Sequence, residues 1–361
     1  MMGSKLKIVR IQMAPDMDSK EEPAVLVERH GSMMGITLNR PHVINALTTE
    51  MIRLMRLALD EAKAENRFQF VLFSGRGSKG FCAGGDIRRL VKAVTEKAFQ
   101  RAELFFNEEY ALDLYLHRFP KPVIVFADGI TMGGGLGLSA GADLVVATEK
   151  TVMAMPETRI GFFPDVGATG WLFKKCPKGY PEYLALTGYE LEGADCIRLG
   201  LANGLTRSAR LQELREVLIN HSPENSDRVE MAERLKKLLL PWLEKKVLTD
   251  PEMDESVRMH FSGKTSVQQI MDSLSRCRSH REWCENTLRQ LSQRSPTALN
   301  LTLKLLRHNE GRPLEEVFAV EEKATRFIIR HPDFLEGIRA HLLDKDDQPR
   351  WRPSADEPAF F

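Results

Sequence analysis

Over the first 205 or so residues, short apolar runs alternate with amphipathic ones, and this alternation limits the possible fold more than any other feature. Ala24–Arg29 and Met34–Leu38 have strand character around a His30-Gly31-Ser32 turn. Thr48 or Thr49 can cap a helix to about Asn66, with Ile52, Met55, Leu59 and Ala62 at helical spacing. Phe70–Phe73, Val123–Ala127, Leu144–Ala147 and Val152–Met155 are further short strands. Helical stretches lie from Asp86, from about Ala98 to His117, and from Leu136 to Ala142. Such alternation predicts a layered α/β domain. Past Leu205 the strand signals nearly vanish. LQELREVLI, MAERLKKLLLPWLEKK, VQQIMDSLSRCRSHREWCENTLRQL and ALNLTLKLLRH all read as helices. The expected organisation is a flexible arm over 1–23, an α/β core over 24–205 and a helical region over 206–361.

Charge excludes little but points away from some partners. Lys and Arg total 51 and Asp and Glu 50, so no net field favours nucleic acid or a membrane surface. No apolar run reaches about 18 residues, and the first 23 residues do not read as a signal or transit peptide. The nine histidines include no His-Glu-x-x-His pattern, so no metal ligand set is expected. Five scattered cysteines without Cys-x-x-Cys spacing argue against a disulfide framework and for a reducing compartment. Cys277 and Cys284 fall on one predicted helix, about 10 Å of rise apart. That is too far for a disulfide, so both are expected as buried free thiols.

Two familiar patterns are discounted. Gly75-x-Gly77-x-x-Gly80 follows a strand, but no helix opens at Gly80, so it is a poor dinucleotide fingerprint. Gly137-Leu138-Ser139-Ala140-Gly141 matches a serine nucleophile elbow. The strand-to-helix corner, however, is already made by Met132-Gly133-Gly134-Gly135, which puts Ser139 inside a helix as a small packing residue.

The informative glycines are Phe81-Cys82-Ala83-Gly84-Gly85-Asp86 and Met132-Gly133-Gly134-Gly135. Each leads from a strand into a helix, where backbone N–H groups are unpaired and glycine permits close approach. Two such turns on neighbouring strands can aim one N–H each at a single oxygen, forming an oxyanion hole without side chains. Nearby, PETRIGFFPDVG sets Glu157 and Asp165 in an apolar stretch. Taken alone, Glu157 reads as a helix-start acid after proline and Asp165 as an N-cap.

LNRPHVINAL, FCAGGD, GITMGGGLGLS, PETRIGFFPDVG and ALTG together resemble the crotonase (enoyl-CoA hydratase/isomerase) superfamily over about residues 24–205. PETRIGFFPDVG, the NEEY at 107–110 and the tail from SPTALNLTLKLL to DKDDQPRW resemble its 3-hydroxyisobutyryl-CoA hydrolase branch, extending the likeness over nearly the whole chain. The resemblance implies a spiral of ββα turns with a helical C-terminal extension and an acyl-CoA substrate, with no separate cofactor. By family position, Gly85 and Gly134 supply the oxyanion amides. Glu157 and Asp165 are the active-site carboxylates, Glu109 contacts the acyl group, and Ala83, Asp86 and Ile87 line the CoA channel. Arg40 and Lys79 are candidates for the CoA phosphates. Hydratases of the superfamily carry a second catalytic glutamate two residues after the glycine triplet. Here that position is Gly137, which cannot transfer a proton.

The expected activity is therefore hydrolysis of a short 3-hydroxyacyl-CoA, with 3-hydroxyisobutyryl-CoA of valine breakdown as the family substrate. Hydration or isomerisation of an enoyl-CoA is the nearest alternative, and a catalytically silent assembly subunit a second. The expected location is the cytoplasm, or the mitochondrial matrix in a eukaryote. The sequence leaves the oligomeric state open, a homo-oligomer included.

Overall fold

A computed structural model describes residues 22–221, 223, 226–244 and 249–352. Nearly all of the predicted N-terminal arm, residues 1–21, lies outside the described residues. Among the described residues, ten strands form two sheets. They are β1 (Val25–His30), β2 (Met33–Leu38), β3 (Phe70–Gly75), β4 (Gly80–Cys82), β5 (Val123–Ala127), β6 (Ile130–Met132), β7 (Leu144–Thr148), β8 (Val152–Ala154), β9 (Leu191–Glu192) and β10 (Gly204–Thr206). The large sheet runs β1-β2-β3-β5-β7-β10 and the small one β4-β6-β8-β9. The β1–β2 hairpin and the β8–β9 pair are antiparallel; the other pairs are parallel.

Each turn of the chain gives one strand to the large sheet and the next to the small one: β3 then β4, β5 then β6, β7 then β8. After the first two pairs come the helices Ile87–Thr95 and Phe99–His117, then Gly134–Ala140. This is the expected ββα spiral. The apolar runs seen in sequence follow from burial on both faces of a parallel sheet. Met33, Phe70, Leu72, Ile124, Phe126, Leu144 and Val146 point one way, onto Leu214, Leu218, Met231, Leu235 and Leu239. The alternate residues Met34, Val71, Phe73, Val123, Val125 and Val145 point into the main core. The helices Leu211–Ile219 and Arg228–Leu239 thus cover the outer face of the large sheet.

Most predicted elements appear within two residues of their expected ends, and Thr48 caps the helix Thr49–Ala64 by accepting from Met51 N at 3.2 Å. Strands β4, β6, β9 and β10 were not foreseen; they are two or three residues long, too short for a period of two to register.

The long helix expected over 267–291 is two helices, Val267–Ser275 and Arg281–Ser292, broken where His280 adopts a left-handed φ of 55°. That break corrects the cysteine reading. Cys277 and Cys284 are not free thiols: they lie 6.4 Å apart at Cα and form a disulfide. A rise of about 10 Å between them holds only along an unbroken helix. Cys82, Cys176 and Cys196 are free and buried.

Leu218 is fully buried between the large sheet and its covering helices. Leu218→Ala should lower unfolding stability by about 2–5 kcal/mol, read from the denaturant midpoint, with activity per folded molecule unchanged.

Candidate active site

The two glycine turns meet. Leu47 N donates to Gly84 O at 2.8 Å and Asp86 N to Leu47 O at 2.9 Å, so the amides flanking Gly85 hold the turn while the Gly85 amide takes no part in that ladder. Gly84 has φ 93° and Gly133 φ 50°, the left-handed region where a β-carbon is strained. A β-carbon at Gly84 would lie 3.4 Å from the Gly134 nitrogen and 3.2 Å from Met132 O. Gly134 opens the helix Gly134–Ala140, so its amide has no partner within the helix. Backbone from two turns of the spiral is therefore in contact where the amides of Gly85 and Gly134 are spare.

Around these turns lies a cavity of about 310 Å³. Its lining includes Ala83, Gly84, Gly85, Ile87, Gly133 and Gly134 from the turns, and Glu109, Glu157 and Asp165. Phe105, Phe106, Phe162 and Phe334 make much of the apolar wall, with Phe106 and Phe162 stacked at 5.3 Å. The structure thus brings together Glu109, Glu157, Asp165, both glycines, Ala83 and Ile87. Asp86 is not in the lining. Its carboxylate pairs with Arg40 at 3.0 Å, and Arg40 also donates to Ala46 O at 2.6 Å. Arg40 is thus occupied in holding the turn, and Lys79 is an exposed residue outside the lining.

Glu157 begins a short 3-10 helix, Glu157–Ile160, and is only 9% exposed. A β-carbon at Gly133 would be 2.9 Å from its Oε1. Its Oε2 has no hydrogen-bond partner among the described residues. Burial, then the charge of Asp165, holds its pKa well above the usual carboxylate range. Glu109, on the helix Phe99–His117, packs its carboxylate against Gly134, and its Oε1 is likewise unpartnered. Burial and then Asp165 raise it too.

Asp165 is not an N-cap. The helix Ala168–Lys175 starts after Gly167, and Glu321, from the far helix Leu314–Ile328, accepts from Gly167 N at 2.7 Å and Thr169 N at 3.2 Å. Asp165 instead accepts from Tyr110 OH at 2.8 Å, and that hydroxyl also meets Thr325 Oγ1 at 2.8 Å. Burial pushes Asp165 up to about 7, against the lowering effect of the Tyr110 hydrogen bond.

Sequence reading missed Asp113, Tyr110 and Glu321. Asp113 lies one helical turn beyond Glu109, is fully buried, and neither carboxylate oxygen has a partner among the described residues. Burial, then Glu109, keeps its pKa well above the usual range. The signal was present: an acid four residues after Glu109 on an apolar helix face. Glu321, pushed up to about 8 by burial, carried no local signal, since it meets its partners 152 and 154 residues away in sequence.

Gly137 has no room for the hydratase glutamate. A β-carbon there would lie 2.7 Å from Val166 Cβ and 3.1 Å from Asp113 Oδ2. Ser139 is buried and donates to Gly135 O at 3.1 Å, within its own helix. Gly75 and Gly80 are close-packing positions, each pressed on backbone of a neighbouring strand.

The model of the family described as "Enoyl-CoA hydratase/isomerase" matches residues 33–358. The chain belongs to this family. Among its members, the mitochondrial 3-hydroxyisobutyryl-CoA hydrolase of Homo sapiens is 38% identical over 346 residues, 95% of this chain and 87% of that one. The mitochondrial enzyme of the same name from Danio rerio is 37% identical over 339 residues, 94% and 87% of the two chains. Of solved structures in this enoyl-CoA hydratase/isomerase family, a carnitinyl-CoA dehydratase from Mycobacterium thermoresistibile superposes with a TM-score of 0.82 at 31% identity, over 92% of this chain and 93% of that one. An enoyl-CoA hydratase from Rhodobacter sphaeroides gives 0.79 at 29% identity, over the same shares. The crotonase-like fold inferred from sequence is thus the observed one, including its helical C-terminal region.

Two expectations follow from the buried acids. Their folded pKa values are raised, so their stabilising neutral forms persist at low pH. Stability is then fully present below the unfolded carboxylate range, near pH 4, and falls as pH rises towards 7 to 8, by up to about 1.4 kcal/mol per pH unit for each proton released. Asp113→Asn should therefore raise the melting temperature at pH 8, with the gain shrinking towards pH 4, in a calorimetric pH series. Tyr110→Phe removes the bond that lowers Asp165, so the acid limb of its pH–rate profile should move to higher pH.

Proposed function

We propose that this enzyme hydrolyses the thioester of 3-hydroxyisobutyryl-CoA or a close short 3-hydroxyacyl-CoA. One observation carries the reading: Glu157 and Asp165 face one cavity beside the spare Gly85 and Gly134 amides, while position 137 holds neither an acid nor room for one. The hydrolase names of the 35–38% identical relatives support the same reaction. Those names also carry the word mitochondrial, which supports the matrix as its location in a eukaryotic cell.

In this mechanism the thioester carbonyl oxygen accepts from both glycine amides. Charge grows on that oxygen as the carbonyl is attacked, and fixed N–H dipoles in a dry cavity stabilise it without reorganising. Glu157 acts in its ionised form. Either it attacks the carbonyl carbon, forming a mixed anhydride as the C–S bond breaks and CoA leaves as thiolate, or it removes a proton from attacking water. Asp165, fixed by Tyr110, orients the water. Its charge also raises Glu157, keeping that carboxylate basic enough to serve near neutral pH. Glu109 accepts a hydrogen bond from the 3-hydroxyl group, which selects hydroxyacyl over plain acyl chains. Ala83 and Ile87 border the path of the CoA arm.

Thiol release from a panel of acyl-CoAs tests the substrate, and loss of enoyl absorbance from crotonyl-CoA tests the hydratase alternative. Glu157→Gln should lower kcat by at least about 10³ with the fold intact. Near-normal thioesterase activity in that variant would remove Glu157 from the mechanism. Because the carboxylates act in their ionised forms and Asp165 is pushed up to about 7, kcat/KM should fall as pH drops through that value, approaching tenfold per pH unit below it.

A further inference from the structure

The helical region contains a second chemical constellation, remote from the cavity. His260 comes from the helix Pro251–Phe261, Cys277 from the break between two helices, and Cys284 from the helix Arg281–Ser292. One ring nitrogen and two sulfurs from these three residues all lie within 4.8 Å of one another. None of the three lines the active-site cavity. We propose that His260, Cys277 and Cys284 form a binding site for a thiophilic divalent cation of the zinc type, and that the Cys277–Cys284 disulfide is the oxidised, metal-free state of that site.

The geometry fits the donor set. Zinc bonds to sulfur at about 2.3 Å and to imidazole nitrogen at about 2.0–2.1 Å, so tetrahedral ligands place sulfur and nitrogen about 3.6 Å apart. Cys284 Sγ lies 3.7 Å from His260 Nε2. His260 is 4% exposed, and its other ring nitrogen, Nδ1, meets Ser273 Oγ at 2.8 Å. This contact holds the ring, and with Nδ1–H as the donor the Nε2 lone pair faces the sulfurs, as outer partners of metal-bound histidines arrange.

The surroundings allow a fourth ligand. His260 and Cys277 line a cleft of about 570 Å³, together with Asp272 and Ser273, wide enough to admit a water molecule as the fourth ligand. Lys264, Arg276 and Arg278 line the same cleft. They oppose a bare cation but favour the thiolates, and a dication with two thiolates is neutral, so their repulsion largely disappears on binding. Conversion between the states balances. Two equivalents of a small thiol reduce the disulfide with two electrons and become its disulfide; the metal then displaces two thiol protons into solvent. Bound metal would tie three helices of this region at one point.

The full chain, reduced with a phosphine and stripped by chelation, is titrated anaerobically with Co²⁺. The expected result is one equivalent bound with a thiolate-to-metal charge-transfer band, bleached by stoichiometric Zn²⁺. The same chain oxidised with diamide should show no band. Cys284→Ser should abolish tight binding, and Ser273→Ala should weaken it by about 10-fold. Acyl-CoA hydrolysis should survive both changes. Absence of the thiolate band in the reduced chain, or equal Co²⁺ affinity in the oxidised chain, overturns the proposal. The oxidised arm needs no substitution, so misfolding of a variant cannot mask the answer.

Discussion

The crowding of carboxylates into a dry interior is the constraint on which the rest of the structure turns. Glu109, Asp113, Glu157, Asp165 and Glu321 are all buried, and each has its pKa raised first by desolvation. Among the described residues, no arginine or lysine pairs with Glu109, Asp113 or Glu157, and several of their oxygens have no hydrogen-bond partner. An interior that kept all five ionised would be strongly destabilised. The shared burial therefore favours the neutral forms of these acids and makes any carboxylate that ionises among them unusually basic. The large, doubly covered sheet and the long apolar core supply the stability that such a site takes away.

The spiral explains how the site is assembled. Strands β4 and β6 of the small sheet each end in a glycine turn, and parallel pairing of β4 with β6 and of β6 with β8 sets those turns beside the end of β8. The backbone of the first two turns touches at Gly84 and Gly134, while Glu157 lies just beyond β8, with Met155 and Pro156 between. Sheet register, more than any side chain, thus brings the spare amides to one carboxylate. The residues beyond 205 are not an appendage to this core. Two of their helices cover the large sheet, and Glu321 and Thr325 reach the segment that carries Asp165 and the hydroxyl that holds it.

Much of the site was legible because its parts lie in compact segments. FCAGGD, MGGG, NEEY and PETRIGFFPDVG each pack a special backbone conformation or an acid into a few residues, and Gly84 and Gly133 do take the left-handed φ such turns need. Asp113 was overlooked although it lies four residues after Glu109, since one acid on a helix is ordinarily solvated. Tyr110 lay inside NEEY without its role showing, and Glu321 had no local mark, because what defines them is a contact over 55 and over about 150 residues of chain. The cysteine pair failed for the opposite reason. Helical periodicity on both sides of residues 276–280 suggested one helix, and only the left-handed turn at His280 reverses the chain enough to join Cys277 to Cys284.

Sequence alone determined the alternation of strand and helix, the two glycine turns, the pair Glu157 and Asp165, and the absence of an acid at position 137. Those depend on local backbone freedom and on side-chain chemistry, which a short stretch carries in itself. Tertiary structure decided which acids share a cavity, that Tyr110 fixes Asp165, that Val166 and Asp113 close off position 137, and that His260 joins two cysteines. These depend on desolvation and on contacts between distant segments, and neither exists until the chain has packed.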